Sequence, residues 1–184
     1  MSDQKDNIVQ GDLAGRDIIK SEYHYPPVLP TYMSELIEKF KEEHEKGIFT
    51  TNIIDKLAHY KTAIDNSEVI GLEKKLHEGD YSYLLEYATS TKEIFTKKLV
   101  RYQLYESAQK IFVCILSEIF SNYHLHVYPL IKRGESSDQV LSAIQKHVID
   151  PVQCKLEKNI LEILAEDING AIYFLTGNCH IKWI

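Results

Sequence analysis

Leu104-Tyr105-Glu106-Ser107-Ala108-Gln109-Lys110-Ile111-Phe112-Val113-Cys114-Ile115-Leu116-Ser117-Glu118-Ile119-Phe120 places Leu104, Ala108, Ile111, Phe112, Ile115, Leu116, Ile119 and Phe120 three or four residues apart. That is the period of an amphipathic helix. Its middle, Ile111–Leu116, is apolar nearly all round, so this helix belongs at the centre of a helical fold, contacted on more than one side, with Cys114 as a small core residue. The span from Tyr81 to about Tyr123 holds neither Gly nor Pro. Its first part carries Leu84, Leu85, Ala88, Ile94, Phe95 and Leu99 at the same spacing, and the Thr89-Ser90-Thr91 run is expected to break it.

Moving toward the N-terminus, Asp80 is the expected N-cap of that span, behind a short helix around 69–77. Ile53, Ile54, Leu57, Tyr60 and Ile64 form the stripe of an earlier helix, with Thr51 or Asn52 near its cap and Asp65-Asn66-Ser67 as its end. Met33, Leu36, Ile37 and Phe40 make another, stopped by Gly47. Before Thr31 the pattern changes. Asn7–Ile19 alternates β-branched pairs with Gly11-Asp12 and Gly15-Arg16-Asp17, which reads as extended pieces joined by tight turns, too small to fold without a partner edge. Tyr23-His24-Tyr25-Pro26-Pro27-Val28-Leu29-Pro30 is a stiff, extended connection.

Toward the C-terminus, Tyr123-His124-Leu125-His126-Val127-Tyr128 alternates and reads as a short strand or a frayed helix end. Ser137 is the expected N-cap of a helix over 138–148, and Asp150-Pro151 starts another that carries Val152, Leu156, Ile160, Ile163 and Leu164. Asp167-Ile168-Asn169-Gly170 terminates or bends it. The chain then closes on an aromatic segment containing its single Trp. The expected architecture is mainly α: one helical domain of about six helices over 31–184, with a short extended or β arm over 1–30 and a short extended C-terminal segment.

The whole chain, 184 residues with a formal charge of −6, is long enough for one sizeable core and offers no general attraction for phosphate backbones. Three widely spaced cysteines without a C-x-x-C suit reduced thiols. With no apolar leader after Met1 and no apolar run long enough for a bilayer, the expected address is cytoplasmic, without a membrane.

Cys179-His180 is the tempting catalytic pair, since a nucleophilic thiolate needs a nearby base or cation. Adjacent residues in an extended chain point to opposite faces, however, so the preferred reading is structural. In it Gly177-Asn178 turn the chain, Cys179, Ile181 and Trp183 share one face, and His180 and Lys182 share the other. His124 and His126 would share a strand face, but two histidines without a further ligand are not a metal site. Tyr81, Tyr83, Tyr87, Tyr102 and Tyr105 suit core edges or an interface. No catalytic residue, metal or cofactor is assigned.

Gly170-Ala171-Ile172-Tyr173-Phe174-Leu175-Thr176-Gly177-Asn178-Cys179-His180-Ile181-Lys182-Trp183 resembles the closing motif of the C-terminal domains of bacterial ABC three-component conflict systems. Gly11-Asp12-Leu13-Ala14-Gly15-Arg16-Asp17-Ile18 resembles the Gly-Arg-Asp segment that often precedes such domains. The resemblance implies a component of a three-part bacterial defence module beside an SMC-like ABC ATPase and a middle component. Larger members carry an effector enzyme ahead of this domain, and only the arm stands there in this sequence. The expected role is therefore a non-enzymatic adaptor that forms a homo-oligomer. Gly11, Asp12, Gly15, Arg16 and Asp17 would form the assembling arm, and Tyr173, Gly177, Asn178, Cys179, His180 and Trp183 the docking motif. The competing readings are a small hydrolase or nuclease using Cys179, His180, His124 or His126, and a nucleic-acid-binding subunit.

Overall fold

The computed structural model describes residues 31–64, 71–156 and 160–184. The 1–30 arm, with Gly11, Asp12, Gly15, Arg16 and Asp17, and the Asp65-Asn66-Ser67 helix end lie outside the described residues. Among the described residues every regular element is helical.

Helix α1 (Tyr32–Lys46) starts where the Thr31 hydroxyl accepts the Ser34 amide at 3.2 Å, which satisfies one of the unpaired first-turn donors. It stops at Gly47, whose φ of 62° is left-handed. Met33, Leu36 and Phe40 face the core, as their spacing predicts. The Glu43 carboxylate is also buried and accepts the Ser107 amide at 3.1 Å and the Ser107 hydroxyl at 2.5 Å. Those bonds tie α1 to the start of α5 (Glu106–Asn122) and offset the desolvation of the carboxylate. Helix α2 (Asp55–Lys61) is shorter than its apolar stripe and buries Leu57 and Tyr60.

Helix α3 (Leu72–Glu78) ends at Gly79, and Asp80 adopts a left-handed φ of 65°. Asp80 is therefore not the N-cap of the next helix. The chain passes through a 3-10 turn, Ser82–Leu84, into α4 (Leu85–Tyr102). The expected break at Thr89-Ser90-Thr91 does not occur. Thr91 is buried with its hydroxyl donating to Tyr87 O at 2.9 Å, a back-bond that lets a helix carry a threonine with no unsatisfied group. The interruption comes instead at Gln103–Tyr105. There Gln109 ties two stretches of backbone together: its amide nitrogen donates to Gln103 O at 2.7 Å and Asn52 O at 2.8 Å, and its amide oxygen accepts the Ile54 amide at 2.8 Å. Helix α5 buries Ala108, Ile111, Phe112, Ile115, Leu116 and Ile119. Cys114 is only half-buried, at the core's margin.

Tyr123–Val127 is not a strand but a π turn, in which the Tyr128 amide reaches back five residues to Tyr123 O. Helix α6 (Tyr128–Lys132) follows. Ser136, one residue before the expected cap, opens α7 (Ser137–Ile144) with a reciprocal bond to Gln139. A second π turn, Gln145–Ile149, leads into α8 (Asp150–Leu156), and the Asp150 amide again reaches back five residues, to Gln145 O. Each π turn ends two residues before a proline, Pro129 and Pro151. A proline lacks the amide hydrogen and collides with the carbonyl four residues back. The widened turn makes room for the ring and keeps the helix path continuous.

Asp167-Ile168-Asn169-Gly170 neither ends nor bends a helix. It lies in the first half of α9 (Ala165–Gly177), which is buried from Ile168 to Thr176 except at Asn169. The Asp167 carboxylate accepts the Leu164 amide at 2.8 Å and pairs with Lys98 of α4 at 2.8 Å. This anchors the first turn of α9, where the helix dipole favours negative charge.

Helices α4 and α9 cross with almost no clearance at Gly170. A Cβ there would stand 2.2 Å from Thr91 O and 2.8 Å from Phe95 Cβ. A Cβ on Gly177 would meet only the flexible end of Lys92, at 2.5 Å from Nζ. Gly170→Ala is expected to destabilise the fold by about 1–3 kcal/mol because backbone must move. Gly177→Ala is expected to stay within ~1 kcal/mol of the parent, since helix propensity favours alanine. Urea unfolding followed by circular dichroism checks both, and equal losses would contradict the crossing.

Candidate interaction site at the C-terminal segment

After α9 the chain turns back on itself through a Schellman motif. The Cys179 amide donates to Thr176 O at 3.1 Å and the His180 amide to Leu175 O at 2.9 Å. The residue at the left-handed position of that motif is usually glycine. Here it is Cys179, with φ 63°, a conformation that disfavours a residue with a Cβ by about 1–2 kcal/mol.

The turn delivers residues 178–184 against α2, α3 and the first π turn. Asn178 Nδ2 donates to Tyr60 O at 2.9 Å, and the Ile64 amide donates to Asn178 O at 3.2 Å. Trp183 is 1% exposed. Its indole N–H donates to the Thr176 hydroxyl at 3.0 Å, and that hydroxyl donates to Ile172 O at 2.9 Å. Its ring lies edge-on to Tyr81 with centroids 4.8 Å apart and parallel to Tyr173 at 6.1 Å. Gly79 admits the tryptophan backbone, since a Cβ there would sit 2.5 Å from Trp183 O. Tyr123 donates its hydroxyl to Lys182 O at 3.0 Å. Burial pushes the Tyr123 and Tyr173 phenols well above their ordinary range, so both stay neutral at any physiological pH.

Two further groups shape the segment. Lys75 of α3, 3% exposed, donates to Thr176 O at 2.9 Å and Ile181 O at 3.0 Å. Burial lowers its pKa. His180 is buried rather than facing solvent opposite Cys179. The Schellman turn, not an extended strand, sets its direction, so the two-face alternation expected for 179–183 holds only for Lys182, which is exposed. The His180 ring packs edge-on to His59 at 5.0 Å and Tyr60 at 5.4 Å, and its Nε2 has no hydrogen-bond partner among the described residues. Burial, then the neighbouring His59, lowers its pKa.

Cys179 and His180 thus face different neighbours and form no dyad. His124 and His126 also part company. His124 lies on Phe120 with centroids 4.3 Å apart and bonds Phe120 O at 2.8 Å, whereas His126 stacks on His147 at 4.7 Å. Among the described residues, no three His, Cys, Asp or Glu gather where a metal would need them. No described helix is long and apolar enough to cross a membrane. Of the clustered tyrosines, Tyr81 and Tyr105 are buried, while Tyr83 and Tyr87 are exposed beside the start of α4.

The docked unit, from α3 to the buried tryptophan, coincides with the reach of a family match. Residues 71–183 match the model of C-terminal domain 9 of the ABC-three component (ABC-3C) systems. The chain belongs to that family. The matched span begins one residue before α3 and ends on Trp183. It therefore includes Lys75 and Cys179 but not α1 or α2, which complete the core of this ABC-3C domain around it. No curated protein and no solved structure matches the chain. Sequence reading missed the roles of Lys75, Thr176 and Tyr123, which depend on the fold bringing α3, α9 and the first π turn to one place. A lysine three residues after Leu72 and one before the buried Leu76 was the available signal for Lys75.

Trp183→Ala is expected to destabilise the domain by about 3–5 kcal/mol, read as a lowered urea midpoint. His180 adds a pH dependence. The unfolded imidazole binds its proton near the ordinary value of 6.5, while the folded one resists protonation until lower pH. The His180 contribution is therefore full above that value and is lost as pH falls through it. Urea midpoints between about pH 7.5 and 5.5 should fall more steeply for the parent than for His180→Gln, and parallel profiles would contradict the burial of a neutral ring.

Proposed function

We propose that this chain is a non-enzymatic adaptor of its three-component system, working in bacterial defence and assembling with itself and with an SMC-like ABC ATPase and middle component. The observation that carries this reading is where the closing motif spends its chemistry. Tyr173, Cys179, His180 and Trp183 are all buried, and each is engaged with the domain's own helices, so none is positioned to act on a substrate. Family membership supports the three-component setting.

The surface offers material for contacts instead. Tyr83, 63% exposed, and the exposed Tyr87 and Ile94 fall at helical spacing along the outer side of α4 and the turn before it. Solvent-facing aromatics at this density are typical of contact surfaces. The 1–30 arm would supply the self-assembly contacts through Gly11, Asp12, Gly15, Arg16 and Asp17. Direct nucleic-acid binding is disfavoured by the charge of −6 and would reveal itself by steep weakening with salt.

Co-expression with the two partner components followed by affinity capture tests the proposal. Tyr83→Ser with Ile94→Ser should reduce retention about ten-fold or more, equivalent to about 1.4 kcal/mol, without lowering the urea midpoint. Removing residues 2–20 should reduce the mass read by light scattering. Unchanged retention and unchanged mass would overturn the adaptor reading.

A further inference from the structure

The His180 side chain is 4% exposed, yet its Nε2 has no hydrogen-bond partner among the described residues. A buried polar atom left in that state carries a desolvation cost that packing alone does not return. The exposed imidazole of His59, in α2, stands beside it with ring centres 5.0 Å apart. Backbone holds the two elements in register. Asn178 Nδ2 donates to Tyr60 O at 2.9 Å and the Ile64 amide donates to Asn178 O at 3.2 Å, so the closing segment is clamped to the end of α2 next to the two rings.

The two rings are related as ligands are, not as a stack is. An imidazole lone pair lies in the plane of its ring, so one ion can serve two rings only where their planes cross nearby. Nitrogens about 2.1 Å from an ion at the tetrahedral angle put the ring centres about 5 Å apart. His59 and His180 meet both conditions, with an angle of 63° between their planes. His126 and His147 come equally close, at 4.7 Å, but their planes are only 20° apart. Lone pairs in nearly parallel planes run alongside each other and do not converge.

We propose that His59 and His180 form a binding site for a divalent transition-metal ion of the zinc type, with water completing the coordination shell. Imidazole nitrogen is the commonest side-chain ligand for such ions. Two protein ligands make an exchangeable site, not the closed four-ligand kind that folds a domain. In the metal-free fold the His180 ring therefore contributes packing, and the ion adds a link. That link joins α2, outside the matched span 71–183, to the closing motif within it. It fastens the docked segment against fraying.

The test uses the full-length protein, stripped of metal with a chelator and titrated with zinc chloride at neutral pH. Nuclear magnetic resonance of the nitrogen-labelled chain should show the ring nitrogens of His59 and His180 shifting together, with those of His126 and His147 unmoved. The urea midpoint should rise with zinc, because an ion bound only by the folded state stabilises it. His59→Ala, at an exposed position, should weaken zinc binding by about ten-fold or more in calorimetry. His126→Ala with His147→Ala should leave the affinity unchanged. Zinc that leaves the His180 ring unmoved, or an affinity that survives His59→Ala, would overturn the proposal. So would binding that disappears in Cys114→Ser with Cys154→Ser. The parent spectra alone decide the matter if His59→Ala does not fold.

Discussion

The hydrogen bond from the Trp183 indole to the Thr176 hydroxyl fixes where the chain ends. A tryptophan is seldom fully enclosed unless its one polar atom has a partner inside, and Thr176 supplies it from the last turn of α9. For that bond to form, the chain must reverse within a few residues after Gly177. The reversal needs the left-handed residue 179, the two Schellman bonds and the space above Gly79. Lys75 then satisfies the carbonyls that the reversal leaves inside. Helices α3 and α9 and the first π turn are thereby joined by one short segment, and the family match ends on the residue whose burial requires all of this.

The same geometry separates two readings of the Cys-His pair. Adjacent residues at the end of a helix share a sequence neighbourhood but not a chemical one. Cys179 occupies the left-handed turn position, and His180 faces two aromatic rings. The histidine is held neutral by burial, and its contribution is packing. The lysine that satisfies the backbone carbonyls of Thr176 and Ile181 thereby holds the residues on either side of the pair in place.

Much of the helical architecture was legible from spacing alone. Met33, Leu36 and Phe40 before Gly47, and Ile111 to Ile119, sit on the faces their period implies, because an amphipathic stripe has only one way to leave water. The errors share a cause. Thr89-Ser90-Thr91 and Asp167–Gly170 carry residues that disfavour isolated helices, but the fold absorbs them: Thr91 bonds back within its own helix, Asp167 pairs with Lys98, and Gly170 is the point where α4 comes closest. The alternation of Tyr123–Tyr128 was equally misleading, since a π turn ahead of Pro129 shifts the phase of the side chains and mimics a strand. At the closing segment, the aromatic density announced docking, whereas Lys75 and Tyr123 lay far away in sequence and carried no local mark.

The central claim is that residues 178–184 are part of the core. Native-state hydrogen exchange at the His180 and Ile181 amides, both bonded to Leu175 O, addresses it most directly. The account predicts that these amides exchange only through global unfolding, with the same free energy as the centre of α5. Exchange through local fraying, at a free energy well below that of α5, would contradict it.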